Sequence, residues 1–278
     1  MSSLDGAGPL ERRDLDQYFA RIGHGGDRSP TLATLQAIVA RQTEAIAFEN
    51  LTPLTAAPVV LASRDLQDKL VARRRGGYCY ELNLLTADVL SSLGYAVTPL
   101  AARVVWNRAE NDETPRNHLL LRVDLPEGPH LVDTGFGGLT LTGVLRLDEG
   151  ATQTTPHETF RLQARGDGYV LQVELRGVWR SVYLFNLEAE LRVDAEVSNW
   201  HTSTHPSSLF VNHLIAARPA ADRRFALSDN VHTVHHRDGS RQQTQLRSVA
   251  ELETVLERDF LLDLSNISGL RAALARFV

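Results

Sequence analysis

The sequence predicts an α+β chain in three parts, and three changes along it carry that prediction. As far as Leu93 the apolar residues recur at helical spacing. From Tyr95 the period shortens toward two and β-branched residues gather, and the final third mixes both patterns. No internal repeat or low-complexity linker separates the parts, so they are expected to pack tightly together.

The first ten residues, rich in Ser and Gly, read as a loose tail. Leu15, Tyr18, Phe19 and Ile22 then fall on one helical face, and Gly23 with Gly25-Gly26 ends that helix. Pro30-Thr31 opens a second helix with Leu32, Leu35, Ile38 and Val39 facing inward and Thr31 as its N-cap. Phe48-Glu49-Asn50-Leu51 reads as a loop, and Ser63 as the cap of a third helix carrying Leu66 and Leu70. A fourth carries Leu82, Leu85, Val89, Leu90 and Leu93 and is closed by Gly94.

Beyond Tyr95, strands are expected at Val97–Val105, His118–Leu125 and His130–Phe136, the last two joined as a hairpin by Pro126-Glu127-Gly128-Pro129. Further short strands at Glu158–Leu162, Gly168–Leu175 and Val178–Leu184 suggest a small antiparallel barrel or sandwich. In the final third, Leu209–Ala217 and Arg224–Leu227 read as extended, and Asp238-Gly239 as a hairpin turn. Ser248-Val249-Ala250-Glu251 is a capping box opening a helix through Leu252, Val255, Leu256 and Phe260. A last helix carries Ile267, Leu270, Leu274 and Phe277.

With 29 basic against 34 acidic residues the formal charge is −5, which gives nucleic acid no role as the main partner. A single cysteine in 278 residues excludes an intrachain disulfide and points to a reducing compartment. Met1–Glu11 carries no apolar secretion core, and no apolar run approaches the length of a membrane span. These features predict a soluble, cytoplasmic protein with no membrane contact.

The single cysteine lies in Arg73-Arg74-Arg75-Gly76-Gly77-Tyr78-Cys79-Tyr80-Glu81-Leu82-Asn83. A glycine turn followed by a helical pattern places Cys79 at a helix start. There the unpaired N–H groups and the helix dipole favour the thiolate, the form that attacks as a nucleophile. A lone cysteine also fits a small buried hydrophobe, and local context leaves both readings open.

A cysteine nucleophile needs a base, and the base needs an orienting group. His118 begins an apolar strand, and Asp133 is a charge inside another, costly to bury without a partner. With the hairpin turn centred between Glu127 and Gly128, the two point to one face of the sheet but are not opposite. Arg122 faces Asp133 in that register and competes with His118 for it. His232, His235 and His236 cluster, but no Cys or acidic ligand is spaced to complete a metal site, so no metal is expected. His201, His205 and His213 are expected in interdomain packing or a pocket wall, and His24 and His157 in loops.

Taken together these stretches resemble the arylamine N-acetyltransferase family. The resemblance rests on Arg74-Arg75-Gly76-Gly77-Tyr78-Cys79-Tyr80-Glu81-x-Asn83, Phe48-Glu49-Asn50-Leu51, Thr114-Pro115-Arg116-x-His118, Leu131-Val132-Asp133-x-Gly135-Phe136-Gly137 and Ser203-Thr204-His205-Pro206. These occur in the family's order, from about Leu15 to Leu264. The resemblance implies a helical bundle over 1–94 carrying the nucleophile, an antiparallel β-barrel over 95–195 carrying the His and Asp, and an α/β lid over 196–278. It implies an active site similar to that of papain-like cysteine enzymes, with Cys79 as acetyl acceptor, His118 as base and Asp133 as orienting carboxylate. Phe48, Val104 and Phe136 match positions lining the acceptor pocket, and Gly135 and Gly137 the turn that lets coenzyme A pass.

The activity implied is ping-pong transfer of an acetyl group from acetyl-CoA to arylamines, arylhydrazines or related N-hydroxy compounds, with a homo-oligomer compatible. Leu82 departs from the motif, where relatives often carry a polar residue, without removing a catalytic group. No long insertion separates the second and third regions, which implies a more open cleft than in some animal relatives. An amide synthase closing macrolactams, a cysteine hydrolase and a non-catalytic binding protein are the rival readings.

Overall fold

A computed structural model of the chain describes residues 10–278, so the tail reading of the first ten residues falls outside the described residues, but for Leu10. α1 (Arg12–Arg21) and α2 (Leu32–Ala45) bury the expected faces, among them Tyr18, Phe19, Leu35 and Ile38. Thr31 Oγ1 caps α2 by accepting from the Thr34 N–H at 3.2 Å. The stretch read as a loop is in fact ordered: Phe48–Glu49 forms a short strand, β1, and Leu51–Leu54 a helical turn, α3. Its pairing strand lies far along the chain, which is why local pattern did not reveal it. Ser63 is the first residue of α4 (Ser63–Leu66) and not its cap, and Ala62 before it makes no side-chain capping bond. α4 continues as a wider π-helical stretch over Gln67–Ala72.

α5 (Cys79–Ser92) begins at the cysteine, with Leu82, Leu85, Val89 and Leu90 fully buried. The Glu81 carboxylate closes its first turn, accepting from the Tyr78 N–H at 3.2 Å, and Lys69 Nζ holds Glu81 at 2.6 Å. The glycines ahead of it are dictated by packing. A Cβ on Gly76 would strike the Ala47 carbonyl, and one on Gly77 would sit 2.8 Å from Glu81 Oε2. Arg75 is buried and bound to Glu49 Oε1 at 2.7 Å, with Glu49 itself fully buried. Arg75→Ala strands that carboxylate, and we expect it to cost about 3–5 kcal/mol, read as a lower urea midpoint. An unchanged midpoint would show the pair to be energetically neutral.

The second region is β2 (Ala96–Val104), β3 (Arg116–Leu125), β4 (Gly128–Val132), β5 (Leu145–Arg146), β6 (Thr152–Thr154), β7 (Thr159–Arg165), β8 (Gly168–Leu175) and β9 (Val178–Ala189). They form one antiparallel sheet ordered β5-β4-β3-β2-β9-β8-β7-β6 around Leu120, Leu131, Phe160, Leu171 and Val182. The outer strands meet through a side chain. The Gln153 carboxamide on β6 accepts from the Arg146 N–H on β5 at 2.7 Å and donates to its carbonyl at 2.9 Å, as a peptide group would. The sheet is thus a nearly closed barrel, not a sandwich.

Two expectations for the β3–β4 hairpin change. Leu125 pairs with Gly128, so the turn is centred between Pro126 and Glu127, one residue earlier than expected, and every partner shifts by two. Arg122 accordingly faces Leu131 and is bound by Asp124 at 2.8 Å, not by Asp133. The strand also stops at Val132, because the Asp133 carbonyl turns away to accept from Thr140 Oγ1 at 3.0 Å and the Leu141 N–H at 3.2 Å.

The third region opens with a helix that was not anticipated, α6 (Arg192–Thr204). It runs unbroken across residues 195 and 196, so a boundary there would cut a continuous ladder of helical hydrogen bonds. Leu209–Ala217 is only half extended: α7 (Leu209–Asn212) is a helical turn capped by Ser208, and the strand begins at Ile215. β10 (Ile215–Ala220), β11 (Arg223–Ser228), β12 (Val231–His236) and β13 (Arg241–Gln245) form a second sheet, with β1 on its edge beside β10. α8 (Val249–Arg258), capped by Ser248 Oγ, and α9 (Leu270–Leu274) pack on it. No helix among the described residues is long and apolar enough to cross a membrane.

Candidate active site

The corrected register brings His118 and Asp133 together. Val132 pairs with Leu121, so Asp133 lies beside Leu120, two residues from His118 and on the same face. His118 Nε2 is 2.7 Å from Asp133 Oδ2. The other carboxylate oxygen accepts from Asn83 Nδ2 and the Gly135 N–H, both at 3.0 Å. Asn83 lies one turn along α5 from Cys79. It also donates to the Leu119 carbonyl at 2.6 Å and accepts from the Thr134 N–H at 2.9 Å, tying the cysteine helix to both strands.

Cys79, His118 and Asp133 are 4%, 4% and 0% exposed. With Nε2 committed to Asp133, Nδ1 is the imidazole nitrogen left to face the sulfur. Cys79 Sγ makes a long contact of 3.8 Å with the Asn117 carbonyl. Burial alone would lower the basicity of His118. The Asp133 charge and its hydrogen bond, with a further contribution from Cys79, outweigh burial and push the imidazole up to about 10. Burial likewise would raise Asp133, yet His118, Asn83 and the Gly135 N–H together hold it below the usual carboxylate range. The geometry therefore favours an imidazolium–carboxylate pair beside the cysteine at a helix start, the arrangement that supports nucleophilic catalysis by sulfur.

The other residues singled out in the sequence border this cluster. Phe136 meets the His118 ring edge-on, with centroids 5.2 Å apart at 89°. Val104 pairs with Tyr183 across β2 and β9, two residues along from Ala102, which faces His118. Phe48 lies against Gly137, where a Cβ would come 3.4 Å from the Phe48 ring. Gly135 is the tightest point: a Cβ would sit 2.8 Å from both Cys79 Cα and Asn83 Nδ2. Gly135→Ala is therefore expected to destabilise by about 1–3 kcal/mol and to slow any reaction at Cys79. Thermal melting and initial rates measure the two effects, and wild-type values for both would refute it.

Two aromatic residues were missed. Tyr183 packs on His118 at 5.2 Å and on Phe136 at 5.5 Å. Phe210, on α7, packs on Phe48 at 5.8 Å and Tyr78 at 5.5 Å. Both come from elements remote in sequence from Cys79, β9 and α7, so local pattern gave no signal for either. Two of the arginines before Cys79 bind carboxylates: Arg73 binds Asp68 at 2.7 Å, and Arg75 binds Glu49.

The remaining histidines lie elsewhere. His232 packs on Phe225 and Phe260, 3.1 Å from Asp259. His157 lies in a loop, as expected, and there it bridges Thr142 Oγ1 and the Ala220 carbonyl at 3.1 and 2.7 Å. His201, His205 and His213 are exposed. Among the described residues no three His, Cys, Asp or Glu are grouped to hold a metal.

Comparison with known proteins gives one answer. A family model described as N-acetyltransferase matches residues 31–268. An arylamine N-acetyltransferase of Mycolicibacterium smegmatis is 44% identical over 260 residues, covering 92% of this chain and 94% of its own. One from Escherichia coli is 37% identical over 247 residues, or 88% of each chain. The structure of Mycobacterium marinum arylamine N-acetyltransferase superposes with a TM-score of 0.92 at 42% identity, covering 95% of this chain and 99% of that one. The same enzyme in complex with CoA gives a TM-score of 0.91 at 42% identity, with the same coverage.

Proposed function

The chain belongs to the arylamine N-acetyltransferase family, and from that premise we propose that Cys79 carries the acetyl group, with His118 and Asp133 as its partners. The activity is acetyl transfer from acetyl-CoA to arylamines, arylhydrazines or related N-hydroxy compounds. The observation that carries the residue roles is the buried 2.7 Å pair between His118 and Asp133 beside the one cysteine, at the first turn of α5.

In this reading the Cys79 thiolate attacks the acetyl carbonyl of the thioester. The bond from that carbon to the CoA sulfur breaks, and the imidazolium of His118 supplies the proton to the departing thiolate, giving the free thiol of CoA. The amine then attacks acetyl-Cys79, neutral His118 takes its proton, and the thiolate returns. The Cys79 N–H at the helix start is placed to meet the developing oxyanion. Arylamines suit the second step because they are weakly basic and unprotonated at neutral pH, and flat enough for a pocket walled by Phe48, Phe136, Val104 and Phe210. Gly135 and Gly137 are proposed to let coenzyme A pass close to the backbone. Burial of the triad keeps water from the acetyl-enzyme, and a reducing, cytoplasmic setting keeps the thiol free.

The regions are proposed as 1–94, carrying the nucleophile, and 95–191, carrying base and carboxylate. The third starts with α6 at residue 192.

The test is intact mass after brief incubation with acetyl-CoA and no amine. A gain of one acetyl group, discharged by an aniline or a hydrazine, is expected. No gain on a folded protein would overturn the assignment of Cys79 and favour an amide synthase or a hydrolase.

A further inference from the structure

α6 meets the rest of the fold through a small, polar face, with Ala195, Asn199, Thr202 and Ser203 buried. One of these, Asn199, reaches the residue next to the nucleophile. Its Oδ1 accepts from the Tyr78 hydroxyl, and its Nδ2 donates to the Val59 carbonyl at 3.0 Å. Both ends of the amide are thus committed, which fixes its orientation in a buried setting. The Tyr78 ring, fully buried, lies edge-on to Phe210 at 77° with centroids 5.5 Å apart. Phe210 itself is half-buried and also meets Phe48, at 5.8 Å.

We infer that Asn199 is a positioning residue for the acceptor: through Tyr78 it sets the Phe210 wall of the pocket, and so selects which amines discharge acetyl-Cys79. The inference rests on the reading of Phe210 as a wall of that pocket. An unpaired hydroxyl is unfavourable in a buried site, so without Asn199 the phenol must turn toward another partner, and the ring packed on Phe210 turns with it. The backbones are held by other bonds. Glu81 accepts from the Tyr78 N–H at 3.2 Å, and Asn50 Nδ2 donates to the Phe210 carbonyl at 2.8 Å. Loss of the Asn199 contact therefore moves the two rings and leaves Cys79 in place. A helix of the third region thereby acts on the second half of the reaction and not on the first.

A two-step transfer lets the halves be read apart: kcat/KM for acetyl-CoA reports the acetylation of Cys79, and kcat/KM for the amine reports its discharge. Asn199→Ala and Tyr78→Phe are compared with wild type using two acceptors, hydrazine, which has no ring to meet Phe210, and 2-aminofluorene, which has. Values for acetyl-CoA and hydrazine are expected to stay within about twofold, and that for 2-aminofluorene to fall about tenfold. The double variant is expected to fall no further than Asn199→Ala, because both changes break one contact. Should Asn199→Ala fail to fold, Tyr78→Phe, which keeps the ring, carries the comparison. Equal losses for the two acceptors, an unchanged ratio between them, or additive losses in the double variant overturn the inference. Phe210→Ala tells the two readings apart. If it leaves the ratio of the acceptors unchanged, Phe210 is no wall and both readings fall; if it shifts the ratio and Tyr78→Phe does not, only the role of Asn199 falls.

Discussion

Cys79→Ala is expected to leave a folded protein that takes up no acetyl group and transfers none. The loss in kcat/KM should be on the order of 10⁴-fold or more, because no other thiol is present to form the covalent intermediate and the remaining groups only bind and orient. Stability should change little. Deleting one buried sulfur opens a small cavity worth about 1 kcal/mol, and alanine is a good residue for the first turn of α5. Intact mass with acetyl-CoA, arylamine turnover and a thermal melt separate these outcomes. Residual turnover within tenfold of wild type would mean that the amine attacks acetyl-CoA directly, and the two-step reading would fail.

The second large effect is expected from Asp133→Asn. The amide fills the same space and can still accept from Nε2–H, but it carries no charge to hold His118 as the imidazolium. A fall of about 10²–10⁴ in kcat/KM is expected. The pH dependence gives the sharper test. His118 is raised from an ordinary 6.5 to about 10, so the stability it contributes is fully present below pH 6.5 and is lost as pH rises through 10. Asp133 is held below its ordinary 3.8, so its contribution is present above 3.8 and is lost only as pH falls through the lowered value. Wild type should therefore lose urea resistance between neutral pH and pH 10, and Asp133→Asn should lose less over that interval. Identical pH profiles for the two proteins, in stability and in kcat/KM, would remove the ion pair from the account.

What was legible in the sequence was whatever is written locally. The faces of α1, α2 and α5, the Thr31 and Ser248 caps, and the β8–β9 strands follow from spacing and capping chemistry. α6 was hidden because its apolar residues point outward and its buried face reads as polar loop. The hairpin register slipped because Gly128 looks like a turn residue but is the first residue of β4. Pattern alone left Asp133 between Arg122 and His118, and the family resemblance chose His118. The orienting role of Asn83 was not legible, because it depends on how α5 lies against two strands. α7 was misread for a similar reason, since Asn50 Nδ2 holds the Phe210 and His213 carbonyls at 2.8 and 2.6 Å from across the fold.

The pairing of β1 with β10 sets an order of assembly. Phe48 and Glu49 pair with Ala217 and Ala216, so the strand that carries one wall of the acceptor pocket has only its bridge to Gly77, and no sheet neighbour, until β10 exists. A ribosome reaching residue 200 has already made Cys79, His118 and Asp133, but neither the β10 edge nor the carbonyls that Asn50 grips. At about 5–20 residues per second that gap amounts to seconds. Synthesis delivers the reactive sulfur first and the means of choosing its acceptor last.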